Sequence, residues 1–170
     1  MKTDKEEYFD QIYNNLKDKI YRLCLGYTGN PDDAKDLFQE IMILVWNNLQ
    51  NFRSESHINT WVYRIASNRA LLYLNKKNKQ DMLNQNIDAV SIKISTETSE
   101  TDEKHETEKK IKQLYNAIAT LKEIDRIVIG LLLEGCSYNE ISDVTGLSTS
   151  NVGVRINRIK KTLTTKLSKS

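Results

Sequence analysis

Proline occurs once in this 170-residue chain, at position 31, and glycine only six times, while apolar residues recur at helical spacing through long segments. A chain almost free of breakers, with an apolar rhythm near 3.6 residues, folds as helices packed by their apolar stripes. The expected class is therefore all-α. Between residues 6 and 27, Phe9, Ile12, Tyr13, Leu16, Ile20, Leu23 and Tyr27 mark one stripe of a first helix. The next helix has a well-defined start: Asn30 is a good N-cap, Pro31 suits the first helical position, and Asp32 and Asp33 favour the positive end of the helix dipole. Its buried side reads Ala34, Leu37, Phe38, Ile41, Leu44, Val45 and Leu49. A third long helix is expected over residues 60–79, with Trp61, Ile65 and Leu72 turned inward.

The formal net charge of +2 conceals a partition into three blocks: residues 1–80 carry +2, residues 81–108 carry −6 and residues 109–170 carry +6. The middle block lacks aromatics, is rich in Ser, Thr, Asn and acid, and reads as a flexible acidic linker. It separates two lobes, each long enough for a small helical core. No apolar run approaches the roughly 20 residues that span a bilayer, and the opening MKTDKEE is too charged for a secretory signal. A cytoplasmic protein without membrane insertion is expected. Cys24 and Cys136 are isolated and distant in sequence from His57 and His105, which favours buried or idle thiols over a metal site or a disulfide. With no Ser/His/Asp set, phosphate-binding glycine loop or paired-carboxylate pocket, the chain reads as a non-enzyme without a cofactor.

The second lobe carries the sharpest motif. In SYNEISDVTGLS, residues 137–148, Ser137 is positioned to N-cap a short helix and Glu140 to complete a capping box; Gly146 supplies a left-handed turn, and Ser148 caps the next helix. On that helix Val152, Ile156, Ile159 and Leu163 form one narrow inward face. The last 27 residues carry six basic side chains and no acid. A helix held on one side and acid-free on the other suits a DNA major groove better than it suits a merely solvated basic tail.

Two surfaces stand out in the first lobe. Asp36, Gln39, Glu40, Ile43 and Asn47 line up on the outer side of the second helix, where an apolar residue among carboxylates is consistent with either a solvated face or a docking surface for a basic partner. The third helix interleaves Trp61, Tyr63 and Tyr73 with Arg64, Arg69, Lys76, Lys77 and Lys79. Cations that track phosphates, with Tyr63 free to stack on an unpaired base, would suit single-stranded nucleic acid.

Taken in order, DDAKDLFQEIMILVW (residues 32–46), NTWVYRIASN (59–68), the acidic block and the helix-turn-helix resemble an extracytoplasmic-function (ECF) sigma factor of the sigma-70 family over essentially the whole chain. The resemblance implies two helical domains, at residues 1–80 and 109–170, joined by the linker at 81–108. It implies binding to core RNA polymerase, through the clamp helices of the largest catalytic subunit and the flap region, and to promoter DNA; the family leaves room for an anti-sigma factor as a further partner. The polymerase-binding residues it implies are Asp36, Gln39, Glu40, Ile43 and Asn47. Minus-10 recognition and melting, with capture of a flipped base, would fall to Arg53, Asn59, Trp61, Tyr63, Arg64, Asn68, Arg69, Lys76 and Lys77. Minus-35 recognition would fall to Ser148, Thr149, Ser150, Asn151, Val154, Arg155, Arg158, Lys160 and Lys161, with Asn151 and Arg155 as the specificity candidates. The acidic linker would thread toward the RNA exit path. The sequence departs from the family pattern at Leu72 and Asn75, where many relatives have Asp and Arg. Lys122 replaces a frequent Pro, and Gly153 replaces a frequent Lys, which suggests close approach of the backbone to DNA.

Two other classes remain open on the residues alone. A conventional helix-turn-helix regulator would bind paired half-sites without polymerase. A helical adaptor would make no salt-dependent DNA contact.

Overall fold

The computed structural model describes residues 1–84 and 102–169, and these form seven α-helices with no strand among them. Helix α1 spans Asp4–Thr28, α2 Pro31–Asn48 and α3 Ile58–Leu83; a 3-10 turn, Leu49–Asn51, follows α2. The second lobe contains α4 (Asp102–Ile118), α5 (Glu123–Leu133), α6 (Tyr138–Thr145) and α7 (Thr149–Ser168).

Local chemistry sets most of the boundaries. Asn30 accepts from the backbone N–H of Asp33 and so caps α2, with Pro31 in the first turn. Ser137 and Glu140 form the reciprocal capping box of α6, Gly146 ends that helix at φ 76°, and Ser148 caps α7. Helix α1 starts earlier than expected, because Thr3 and Glu6 form a second capping box. Both helices flanking the acidic block also run into it. Helix α3 continues to Leu83, and α4 begins at Asp102, where pairs such as Glu106–Lys110 at 3.1 Å support helical spacing. Of the expected linker, residues 85–101 lie outside the described residues.

In the first lobe α1, α2 and α3 bury Ile12, Leu16 and Ile20 against Leu37, Ile41 and Val45, and against Val62, Ala66 and Ala70. The inward face of α3 is therefore not the expected one. Val62, Tyr63, Ala66, Ser67, Ala70 and Leu74 are buried, Trp61 and Ile65 are half-buried, and Leu72 is 60 % exposed. The face is displaced by about one residue because α3 packs on two sides, against α1 and α2 and against the second lobe. In that lobe Val152, Ile156, Ile159 and Leu163 face inward as their spacing predicts.

The two lobes do not keep separate cores. Residues of α1, α2, α3, α5, α6 and α7 belong to one continuous apolar cluster. Close approach of α1 and α5 is possible because Gly130 lies against Leu23 and Tyr27; a Cβ there would come within 2.9 Å of Leu23 Cδ2. Gly29, at φ 79°, ends α1 with its α-carbon against Ala119 of the other lobe, 2.8 Å from where a Cβ would stand.

This contact makes a measurable distinction. Gly146→Ala should cost only the left-handed backbone penalty, about 1–2 kcal/mol, since nothing lies within 4 Å of an added Cβ there. Gly29→Ala should cost about 1–3 kcal/mol more from overpacking, which is roughly 2–4 °C of additional melting-temperature loss per kcal/mol in a chain of this size. Thermal unfolding followed by circular dichroism compares the two, and equal shifts would show that Ala119 does not sit on Gly29 in solution.

Candidate docking face and nucleic-acid interface

Helix α2 presents Asp36, Gln39, Glu40, Ile43 and Asn47 outward, all exposed, with Ile43 at 58 %. The stripe is not a row of free charges. Glu40 accepts from Arg69 Nε of α3 at 2.7 Å. One turn back, Asp33 accepts from Asn30 and Lys77. Partial burial would raise the Asp33 carboxyl, but hydrogen bonds from Asn30, Tyr73 and Lys77 outweigh it and hold the group below its ordinary value. These pairs line a groove of about 660 Å³ between α2 and α3, with Asp36 and Lys76 at its edges. The expected nucleic-acid cations Arg69 and Lys77 are thus turned toward the acidic side of α2, while Lys76 is exposed.

The loop before α3 forms a second feature. Phe52 and Trp61 pack with ring centroids 5.3 Å apart, and together with Asn51, Arg53, Ser56 and Arg64 they line a small pocket of about 130 Å³. Ser54 in this loop takes a left-handed conformation at φ 57°, uncommon for a residue with a side chain. Arg53 and Asn68 are exposed and Asn59 is half-buried. His57 caps α3, its Nδ1 accepting from the Asn59 N–H.

Tyr63 corrects the sequence reading. Expected to be free for stacking, it is only 5 % exposed, and burial pushes its phenol well up, with Cys136, Glu134 and Glu140 of the second lobe around it. Its neighbour Arg64 donates through Nε to the Asp143 carbonyl of α6 at 2.9 Å. Of the aromatic-basic residues of α3, Tyr63 and Arg64 are engaged by the second lobe.

On α7, Thr149, Ser150, Asn151, Val154, Arg158, Lys160 and Lys161 are exposed, and Ser148 is engaged as the cap. Arg155 is not an outward residue. Its Nη1 meets Asp125 Oδ1 of α5 at 2.8 Å, and its Nε donates to Asn151 Oδ1 at 3.1 Å, so the two specificity candidates bond to one another and to the lobe's own interior edge. Position 155 precedes the buried Ile156, and the carboxylate opposite draws the guanidinium in. Position 153 faces the first helix of the motif: a Cβ there would meet the Tyr138 ring of α6 at 3.5 Å, an ordinary contact. Asn157, overlooked in the sequence, lies exposed between Val154 and Lys161. Its i+3 relation to Val154 was the available signal.

Both cysteines are buried free thiols, pushed up by burial to about 12 for Cys24 and about 11 for Cys136, so neither is a thiolate at neutral pH. Among the described residues no group of His, Cys, Asp and Glu is arranged to hold a metal ion, and no helix is long and apolar enough to cross a membrane.

The family model for sigma-70 region 2 matches residues 12–80, and that for sigma-70 region 4 matches residues 111–163. The chain belongs to the ECF sigma factors of the sigma-70 family. It is 27 % identical to the ECF RNA polymerase sigma factor SigW of Bacillus subtilis, over 96 % of this chain and 90 % of that protein. It is 29 % identical to the ECF RNA polymerase sigma-E factor of Escherichia coli, over 95 % and 87 % of the two chains. In fold it resembles the sigma factor RpoE from Bartonella quintana, solved in complex with the anti-sigma factor NepR, at a TM-score of 0.75 and 18 % identity over 95 % of this chain and 98 % of that one. CnrH, solved in complex with the cytosolic domain of CnrY, superposes at 0.67 with 19 % identity, over 97 % and 90 %. In this sigma factor the region 2 match covers the α2 stripe and most of α3, and the region 4 match covers the helix-turn-helix.

The half-buried Arg155–Asp125 pair lies between exposed pairs, worth little, and buried ones, costly to break. Arg155→Ala should therefore lower stability by about 1–2 kcal/mol, whereas Arg158→Ala should stay within roughly 0.5 kcal/mol of wild type. Chemical denaturation curves separate these outcomes; an unchanged midpoint for Arg155→Ala would show that the ion pair does not hold α7 on α5.

Proposed function

We propose that this chain is an alternative sigma factor that binds bacterial core RNA polymerase and directs it to promoters, recognising minus-35 and minus-10 elements and melting the DNA. The observation that carries the reading is the order of the two region matches along one chain, with the helix-turn-helix in the second and the outward stripe of α2 in the first. In this reading Asp36, Gln39, Glu40, Ile43 and Asn47 dock on the clamp helices of the largest polymerase subunit. An exposed isoleucine ringed by acid and amide suits a basic helical partner: the apolar contact gives affinity and the charges give orientation. The flap region meets the second lobe.

The pocket between Phe52 and Trp61 takes a flipped base of the minus-10 element. Unstacking a base costs a few kcal/mol, and a preformed aromatic-lined recess, with Arg53, Asn59, Arg64 and Asn68 at or beside it, offsets that cost through stacking and phosphate contacts. Exposed Lys76 extends the cationic path along α3, with Arg69 and Lys77 joining it only on leaving their partners Glu40 and Asp33. Upstream, α7 enters the major groove with Ser150, Val154 and Arg158 toward base edges, while Lys160 and Lys161 hold phosphates and Thr149 and Asn151 lie at its N-terminal end. The fold neighbour from Bartonella quintana, solved in complex with an anti-sigma factor, makes such a protein a further candidate partner here.

Run-off transcription with bacterial core polymerase tests the reading directly. Glu40→Lys combined with Asp36→Lys should weaken polymerase binding at least tenfold, about 1.4 kcal/mol or more, with helicity unchanged because exposed charges contribute little to folding. Parental affinity of the double reversal in a pull-down titration would remove this face from the interface.

A further inference from the structure

We propose that Asp125, which lies on α5 and outside the helix-turn-helix, sets a base preference of the upstream element: it holds Arg155, Arg155 holds the Asn151 amide, and the amide thus offers the groove hydrogen-bond donors that select guanine over adenine. The inference rests on the reading of α7 as the minus-35 helix. Arg155 stands one turn after Asn151 on α7, and a long side chain on a helix leans back over the turn before it. Its Nε donates to Asn151 Oδ1 at 3.1 Å and its Nη1 to Asp125 Oδ1 at 2.8 Å. Arginine carries donors alone, so the atom of the amide that faces it is the oxygen.

Asp125 is well placed to hold this orientation. The groove of about 450 Å³ between α5 and α7 is lined by Lys122, Arg155, Arg158 and Lys166, and among the described residues that line it Asp125 is the single acid. Its carboxylate sits in the first turn of α5, at the positive end of that helix. The Arg155 and Asp125 side chains are 22 % and 18 % exposed, so water competes weakly for either partner. Lys166 is engaged elsewhere in the groove, with the Thr120 hydroxyl. The fixed fork of a guanidinium lets one side chain serve a carboxylate and an amide together.

The consequence is chemical. Asn151 is exposed, its backbone N–H donates to Ser148 Oγ and its side-chain oxygen accepts from Arg155, which leaves the amino group for the groove. An asparagine–adenine pair needs both ends of the amide, the oxygen accepting from N6 and the nitrogen donating to N7. With the oxygen turned to Arg155, adenine would set its N6 amino group against another amino group. Guanine presents two acceptors, N7 and O6, on the same edge. It suits an amide that offers donors alone.

The full chain with core polymerase should transcribe a promoter pool, randomised in the upstream element, with guanine favoured about tenfold over adenine at one base pair. That pair is the one at which Asn151→Ala loses its preference. Asp125→Ala should lose the guanine preference there and admit adenine, Arg155→Met should do the same, and Asp125→Glu should retain it. Asp125→Asn, which keeps the shape and gives up the charge, serves should the alanine variant fold poorly. Asp125 variants that transcribe every template less but keep the wild-type preference would show that the residue merely stabilises the lobe, and would overturn the proposal. A wild type that prefers adenine at that pair, or an Asn151→Ala variant that changes no pair, would overturn it as well. Proton–nitrogen NMR follows the relay without polymerase: the Arg155 Nε–H should exchange slowly with water in wild type and clearly faster in Asp125→Ala. Rapid exchange in a wild type that transcribes normally discards the relay alone, whereas a protected Nε–H with no transcript from any template discards the sigma-factor reading and the specificity role with it.

Discussion

The meeting of α1 with α5 governs the rest of the structure. Two helices approach this closely only where a side chain is missing, and Gly130 supplies the gap into which Leu23 and Tyr27 fit. Gly26, one turn away, lies against Ile118 and Tyr115 of α4 at ordinary contact distance. Once these helices touch, the apolar stripes of two small lobes fuse into one cluster. That resolves a size problem, since lobes of this length bury only a modest share of their surface when folded alone. It also engages part of α3, burying Tyr63 and drawing Arg64 to the Asp143 carbonyl.

The polar contacts follow from the same juxtaposition. Arg22, Arg64 and Arg126 each cross from one lobe to the other, or receive a crossing partner, to Glu134, the Asp143 carbonyl and the Tyr27 carbonyl. Burial lowers the pKa of Arg126, with Glu123 acting in the opposite direction, yet its guanidinium gains two carbonyl acceptors, Tyr27 and Leu121. Guanidinium groups are suited to this task because their donors are fixed in a plane and lose little freedom on pairing.

Helix α2 keeps its outward stripe clear of the lobe contact. Its outward stripe faces neither α1 nor the second lobe, and its ion pairs, Glu40 to Arg69 and Asp33 to Lys77, stay within the first lobe.

What was legible in the sequence was whatever depends on neighbours three or four residues away. The caps at Asn30, Ser137 and Ser148, the left-handed Gly146, the inward stripe of α7 and the exposed stripe of α2 are all of this kind, because a cap or a helical face is fixed by i to i+3 and i to i+4 geometry. The order of motifs along the chain likewise carried the family. What only the tertiary structure decided was the direction taken by side chains with a choice. Tyr63 could stack on a base or pack on a lobe, Arg155 could reach a groove or Asp125, Arg69 could follow a strand or pair with Glu40, and Gly153 could admit DNA or Tyr138. In each case the deciding partner lies on a different helix, at least 15 and as many as about 75 positions away, where sequence periodicity has no reach. The placement of the lobes belongs to the same class, since it rests on Gly130, which lies within α5 and whose meaning appears only when another helix arrives.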